Sequence, residues 1–258
     1  MKHFRFEKAV IKYLNTKWIT NEGYEIKIIE YFDYNNCTIQ FSNSKINKYK
    51  VKIQAIQKGE VKNTYHPSVY NVGYIGEGKY KPSINSKDTK VYKHWSSMLQ
   101  RGCSPALKEK HPTYKDVTVC EEWHNFQNFA KWYEVNWKPW MDSKWQLDKD
   151  ILCPECKIYS PETCCFVPNE INIVFIKPSS KKGTYPIGVS KHRNKFQVSL
   201  SINGVSNFLG GFKTPEEAFQ VYKTAKEQYV KEVSDRWKDL IDQRVYEAMY
   251  NYKVEING

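Results

Sequence analysis

The sequence predicts a multi-domain α+β protein, and three observations carry that prediction. Several short segments alternate apolar and polar residues with a period of two, helical apolar spacings are confined to other segments, and Asn-, Gly- and Pro-rich turns separate them. The 258 residues divide into three stretches: a basic β-rich module over 1–85, a helical and ββα stretch over 86–176, and a three-stranded sheet with a long helix over 177–258.

In the first stretch, residues 1–20 mix apolar and basic side chains without a period that assigns them. Three alternations follow, at Tyr24, Ile26 and Ile28, at Cys37, Ile39 and Phe41, and at Tyr49, Val51 and Ile53. They predict a small twisted sheet or barrel. Strict alternation places Lys48, Lys50 and Lys52 on the face opposite Tyr49, Val51 and Ile53, a row of cations suited to phosphate. Gly73, Gly76 and Gly78 mark a loop without the context of a phosphate-binding motif.

In the second stretch, Tyr92, Trp95, Met98 and Leu99 have helical spacing. Thr118 and Glu121 form a capping-box candidate ahead of Trp123, Phe126, Phe129 and Trp132 or Tyr133, an aromatic stripe read as core. Two short apolar strands, around Leu147–Leu152 and Cys164–Val167, predict a hairpin followed by a helix near Pro168.

The third stretch is the most informative. Val198, Leu200 and Ile202 alternate with Gln197, Ser199, Ser201 and Asn203, so the latter four share a polar face. Lys191, His192, Arg193 and Lys195 precede them. Arginine forks to guanine or phosphate, and Gln or Asn pairs with adenine edges, so these residues are candidate DNA contacts. Asn203-Gly204 supplies a hairpin turn. Thr214-Pro215-Glu216-Glu217 then starts a helix whose apolar stripe runs through Ala218, Tyr222, Ala225, Tyr229, Val233, Trp237 and Leu240.

Net charge is +12, unevenly spread. Residues 177–231 hold ten Lys and Arg against three Glu, and residues 44–64 hold six Lys against Glu60. Such an excess favours a polyanionic partner, most simply nucleic acid. Duplex RNA fits less well, because its deep, narrow major groove does not admit a sheet. No secretory start and no bilayer-length apolar run occurs, which predicts a cytoplasmic protein with no membrane partner and with its seven cysteines reduced. Cys153 and Cys156 form a Cys-x-x-Cys pair that offers a structural Zn2+ site. That reading is not favoured, since the adjacent Cys164 and Cys165 point to opposite faces of a strand and a further ligand such as Cys120 is then required.

Two resemblances sharpen these expectations. With G-V-S at 188–190, F-L-G-G-F at 208–212 and E-E-A at 216–218, the last third resembles the DNA-binding domain of the Apetala and ethylene-response factors, which also occurs in phage integrases and homing endonucleases. The resemblance implies that the sheet, and not the helix, enters the major groove of double-stranded DNA. The second rests on Tyr92, Trp95, Met98 and Arg101, then Val119 to Phe129, Leu147 to Ile151, Tyr159 to Cys164, and Glu170 with Asn172. This order is similar to phage HNH-type homing endonucleases. It implies a ββα-metal site in which Asp148, Asp150 and Glu162 hold Mg2+ or Mn2+ and Asp148, Asp150 and Asn172 serve catalysis of phosphodiester cleavage. Asp148 and Asp150, two apart on a strand, share a face, and two carboxylates so placed repel unless a cation lies between them.

The family's base histidine is expected at or beside Lys149-Asp150, where no histidine stands, and its middle Asn position is Thr163. Aspartate is a weaker base near neutral pH than histidine. Two functions therefore stand side by side: a phage-encoded, metal-dependent nicking endonuclease, and a non-catalytic DNA-binding protein acting as a regulator or blocking a host defence protein.

Overall fold

The computed structural model describes residues 2–42, 46–175, 184–202 and 204–256. The chain divides into two compact units, residues 1–82 with 125–127, and residues 83–124 with 128–258.

The first unit opens with helix α1 (Lys2–Tyr13) and continues as β1 (Lys17–Ile19), β2 (Glu25–Asp33), β3 (Asn36–Phe41), β4 (Asn47–Val51) and the short helix α2 (Ile53–Gln57). The unassigned start thus becomes a helix and a strand. The four strands form an antiparallel meander in sequence order. Asp33 pairs with Asn36 across a two-residue turn, where the Asp33 carboxylate accepts the Asn35 N–H at 2.7 Å. Ile26, Ile28, Cys37, Ile39 and Phe41 are buried together with Ile53, Ile56 and Val61, as their alternation predicts. Ile53 departs from the expected strand, since it begins α2.

The second unit comprises the small hairpin β5 (Ser83–Ile84) and β6 (Lys87–Asp88), helices α3 (Lys90–Cys103) and α4 (Pro105–Lys110), strand β7 (Thr118–Val119) and helix α5 (Phe126–Asn136) from its third residue on. It continues as β8 (Trp145–Asp148), β9 (Ile158–Tyr159), β10 (Cys165–Pro168), α6 (Asn169–Phe175), β11 (Val189–His192), β12 (Lys195–Ile202), β13 (Val205–Phe212), α7 (Pro215–Trp237) and α8 (Gln243–Tyr250). Thr89 caps α3, accepting the Tyr92 N–H. Trp95 on α3 is fully buried and donates to the Trp123 carbonyl at 2.7 Å. The capping box expected at Thr118 and Glu121 does not form. Thr118 pairs in β7 with Ile158 of β9, and the cap oxygen that meets the Gln127 N–H comes from Asn125. Trp123, Phe126, Phe129 and Tyr133 are buried, in keeping with a core stripe.

The hairpin and helix expected near Trp145–Asn172 form as β8, β10 and α6. β8 and β10 are antiparallel with Trp145 opposite Pro168 and Asp148 opposite Cys165. β11, β12 and β13 make an antiparallel sheet in sequence order, and α7 packs on one face of it. Thr214 caps α7 by accepting the Glu217 N–H at 3.2 Å, while the Glu217 carboxylate reaches back to the Lys213 N–H.

The sequence separates 86–176 from 177–258, but the structure builds both around one core. Cys165, Val167, Ile171 and Val174 of the ββα element are buried with Val198 and Leu200 of β12, with Ala218, Phe219, Tyr222, Val230 and Val233 of α7, and with Val245 and Met249 of α8. Polar ties run along the same seam. Glu170 on α6 accepts from Trp237 Nε1 at 2.8 Å and pairs with Arg236, and Lys226 of α7 donates to the Val174 carbonyl at the end of α6.

Candidate nucleic-acid interface

The open face of the β11–β12–β13 sheet is the most complete of the expected sites. Phe196, Val198 and Leu200 turn toward α7, so Lys195, Gln197, Ser199 and Ser201 face away from it, with Ser199 and Ser201 exposed. Cross-strand register extends this face: Ser190 lies opposite Gln197, Phe208 opposite Ser199, and Ser206 opposite Ser201. Lys191, His192, Arg193 and Lys195 are all exposed at the β11–β12 end, where His192 pairs with Lys195 across a two-residue turn. Arg193 occupies that turn with φ +52°, the left-handed conformation such turns demand. Gly211 lies opposite Gln197, and a Cβ built there would touch the stem of Lys195 at 3.6 Å, so this end of the face holds one long cation over a glycine. Asn203 lies outside the described residues.

Phe208 is the residue that alternation alone missed. It belongs to the F-L-G-G-F block, is not among the expected contacts, and is 63% exposed on the polar face. The cause is a bulge. Val198 pairs with Gly210 and Ser199 with Phe208, so Leu209 is inserted and the side chains before it change face. Consecutive glycines after an aromatic, which mark such irregularities, were the available signal.

The Lys48, Lys50 and Lys52 row is broken for a similar reason. β3 advances from Cys37 to Ile39 while β4 runs from Val51 back to Lys48, so β4 carries an extra residue, and Lys50 adopts φ +57°. Lys48 is half-buried with its ammonium on the Lys62 carbonyl, and burial lowers its pKa from the ordinary lysine value. Tyr49, expected inside, is 69% exposed. Lys50 and Lys52 remain exposed, but the three do not form one row.

The ββα element keeps its topology and rearranges its expected ligands. β8 ends at Asp148, so Asp148 and Asp150 do not share a strand face. One oxygen of Asp148 accepts the N–H groups of Asp150 and Ile151, at 2.8 and 2.9 Å, closing the turn. Burial is the largest influence on this carboxyl and raises its pKa, against those two hydrogen bonds. Asp150 is 55% exposed and pairs with the ammonium of Lys149, itself only 5% exposed. Glu162 is exposed and accepts from Ser160 Oγ at 2.7 Å, which holds its pKa below the ordinary value. Asn172 lies on α6, and Glu170 is committed to α7. Thr163, at the family's Asn position, ties the loop: its Oγ1 donates to the Ile158 carbonyl at 2.7 Å and accepts the Ser160 N–H at 3.1 Å. Among the described residues no three His, Cys, Asp or Glu side chains stand together as a metal site.

His94 is the histidine the fold brings to the hairpin. It packs on Phe166, Tyr133 and Trp137, and burial lowers its pKa. Phe166 pairs with Leu147, however, whereas Asp148 pairs with Cys165 on the other face of the hairpin. Arg101 of α3 and Lys149 instead lie over the Tyr159 ring, at 5.2 and 5.8 Å from its centroid.

Cys153 and Cys156 are joined as a disulfide, which corrects the expectation of reduced thiols for this pair and engages both proposed zinc ligands with each other. Cys164 and Cys165 are buried, and burial pushes the Cys164 thiol up to about 12. No described helix is long and apolar enough to cross a membrane.

Comparison with protein-family models, with curated proteins and with solved structures returns no match for this chain.

Proposed function

We propose that the protein binds double-stranded DNA through the open face of the β11–β12–β13 sheet, and that its ββα element serves chiefly to support that sheet. The observation that carries this reading is the sheet's asymmetry: one face closed by α7, the other presenting Gln197, Ser199 and Ser201 beside exposed His192 and Lys195, with Arg193 in the adjoining turn. Three strands at about 4.8 Å spacing set the outer two about 10 Å apart, within the roughly 12 Å width of a major groove. The cations at one end suit phosphates or guanine edges, and the neutral polar centre suits base edges. Selection from a random duplex library, followed by binding measurements on the selected and scrambled sequences, tests it. Equal affinity for every sequence removes the base-reading claim.

A second reading, metal-dependent cleavage, has one observation in its favour, the β8–β10–α6 topology that ends a strand at Asp148. It requires Asp150 to exchange Lys149 for Mg2+ or Mn2+, and Asp148 to bind the ion with the oxygen that does not close the turn. Supercoiled plasmid incubated with the full chain and each metal decides between the readings. Metal-dependent nicking that Asp150→Ala removes, with DNA affinity kept, establishes the nuclease. DNA binding without nicking leaves a regulator, or a factor directed at a host defence protein, as the function.

A further inference from the structure

The chemistry of the sheet's open face is graded along its strands. Its charged groups are gathered at the β11–β12 turn, while its centre holds Ser190, Gln197, Ser199, Ser201, Ser206 and Phe208, with neither a guanidinium nor a carboxylate among them. Gln197 lies opposite Gly211, which has no side chain to cover it, and Phe208 stands across from Ser199, two residues along the same strand from Gln197. Diagonal neighbours of this kind are about 7 Å apart.

From this arrangement we infer that the sheet reads A·T pairs, with Gln197 on the adenine edge and Phe208 against the thymine methyl. Glutamine is bidentate to adenine N6 and N7, matching one donor and one acceptor, and a guanine offers only acceptors at the corresponding places. Thymine alone among the four bases presents a methyl in the major groove, and a phenyl ring is an apolar surface for it. A ring left 63% exposed amid serines is costly in water, and burying it against that methyl removes the cost. The small serines around it admit close approach of the bases, and their hydroxyls, donor and acceptor alike, leave the choice of base to Gln197 and Phe208.

This inference rests on the DNA-binding reading, and base analogues separate the two. The full-length protein is used to select a duplex, and each thymine in the selected site is then replaced by deoxyuracil, which lacks only the methyl. We expect at least one position where the replacement weakens wild-type binding about fourfold, the worth of one buried methyl. Phe208→Ala is expected to bind the thymine and uracil duplexes equally. At the adenine of the same or the adjacent pair, 7-deazaadenine, which lacks the N7 acceptor and keeps the N6 donor, is expected to weaken wild-type binding about fivefold and to leave Gln197→Ala unaffected, as loss of one of the two hydrogen bonds requires. A selected site made of G·C pairs, or wild-type binding that ignores uracil at every position, overturns the inference while leaving DNA binding intact. Failure to bind any duplex overturns both. The outcomes that overturn the inference are read on the wild-type protein with altered DNA, so they do not depend on the variants folding.

Discussion

At the residue scale, the side chains that matter most are those whose surroundings differ from what spacing implies. Asp148 and Asp150 read as a metal-binding pair because Leu147 to Leu152 is a short apolar run, and such a run does not distinguish strand from turn. The distinction is made by the partner strand. β10 starts at Cys165, opposite Asp148, and beyond that point β8 has nothing to pair with. Asp148 therefore behaves as a turn-closing aspartate. We predict that Asp148→Asn retains the fold, since an amide oxygen accepts the same two N–H groups, whereas Asp148→Ala costs about 2 kcal/mol by leaving them unsatisfied. The pH dependence follows from the raised pKa of Asp148. The proton that the native state retains contributes stability in full below the unfolded value near 3.8, and that contribution is lost as pH rises through the higher folded value. Asp148→Asn should flatten this decline, measurable by chemical denaturation between pH 3 and 7. An unchanged slope would assign the pH dependence elsewhere.

Arg193 belongs to the same scale. It combines exposure, positive φ and a place at the charged end of the sheet. Arg193→Ala should weaken binding to the selected duplex by about 1 to 3 kcal/mol and relax preference at one base pair. A loss equal on every sequence would make it a phosphate contact instead.

At the element scale, local grammar was readable where the signal was chemical. The Thr214 cap, the alternation of Val198 and Leu200, and the stripe of α7 from Ala218 to Trp237 appear in the structure as the residues state them, whereas Leu240, the expected last member of the stripe, lies beyond the helix and is exposed. The bulges at Leu209 and near Lys50 displaced whole sets of side chains, and only the first carried a local signal, in its consecutive glycines. A bulge is fixed by pairing with a neighbouring strand and by what the opposite face must pack against, neither of which a single strand encodes. The glycines that seat the sheet on its helix are a sharper case. Gly188 has φ +77°, and a Cβ there would lie 2.1 Å from the Tyr222 ring of α7. Gly188→Ala should destabilise the second unit by about 3 kcal/mol or more through left-handed strain and displacement of that ring. Thermal unfolding checks this, and a shift of under about 2 °C would mean that Tyr222 relocates freely.

At the scale of the whole molecule, charge and core give different divisions. Charge divides the chain into two basic ends, and a salt titration of DNA affinity tests whether both grip one duplex. If Lys50 and Lys52 touch phosphates, Lys50→Ala with Lys52→Ala should lower the salt slope by roughly one per lost contact. An unchanged slope would mark them as guards of an edge strand, since β4 lies at the margin of its sheet. The core divides the chain elsewhere. Cys165, Val167, Ile171 and Val174 are packed into the same interior as the sheet and its helix, so a fragment beginning at residue 177 loses one wall of its core. We expect that fragment to lack a cooperative unfolding transition, while residues 83–258 retain one. A cooperative transition in the short fragment would restore the three-part division that composition suggested.

The shared interior has a consequence for how such a chain changes over time. Glu162 faces solvent, so replacing it leaves the architecture standing, whereas replacing Val167 or Ile171 undermines the core on which the β11–β12–β13 sheet rests. Any pressure that keeps the sheet intact therefore also keeps β8, β10 and α6, whatever becomes of the carboxylates at their rim.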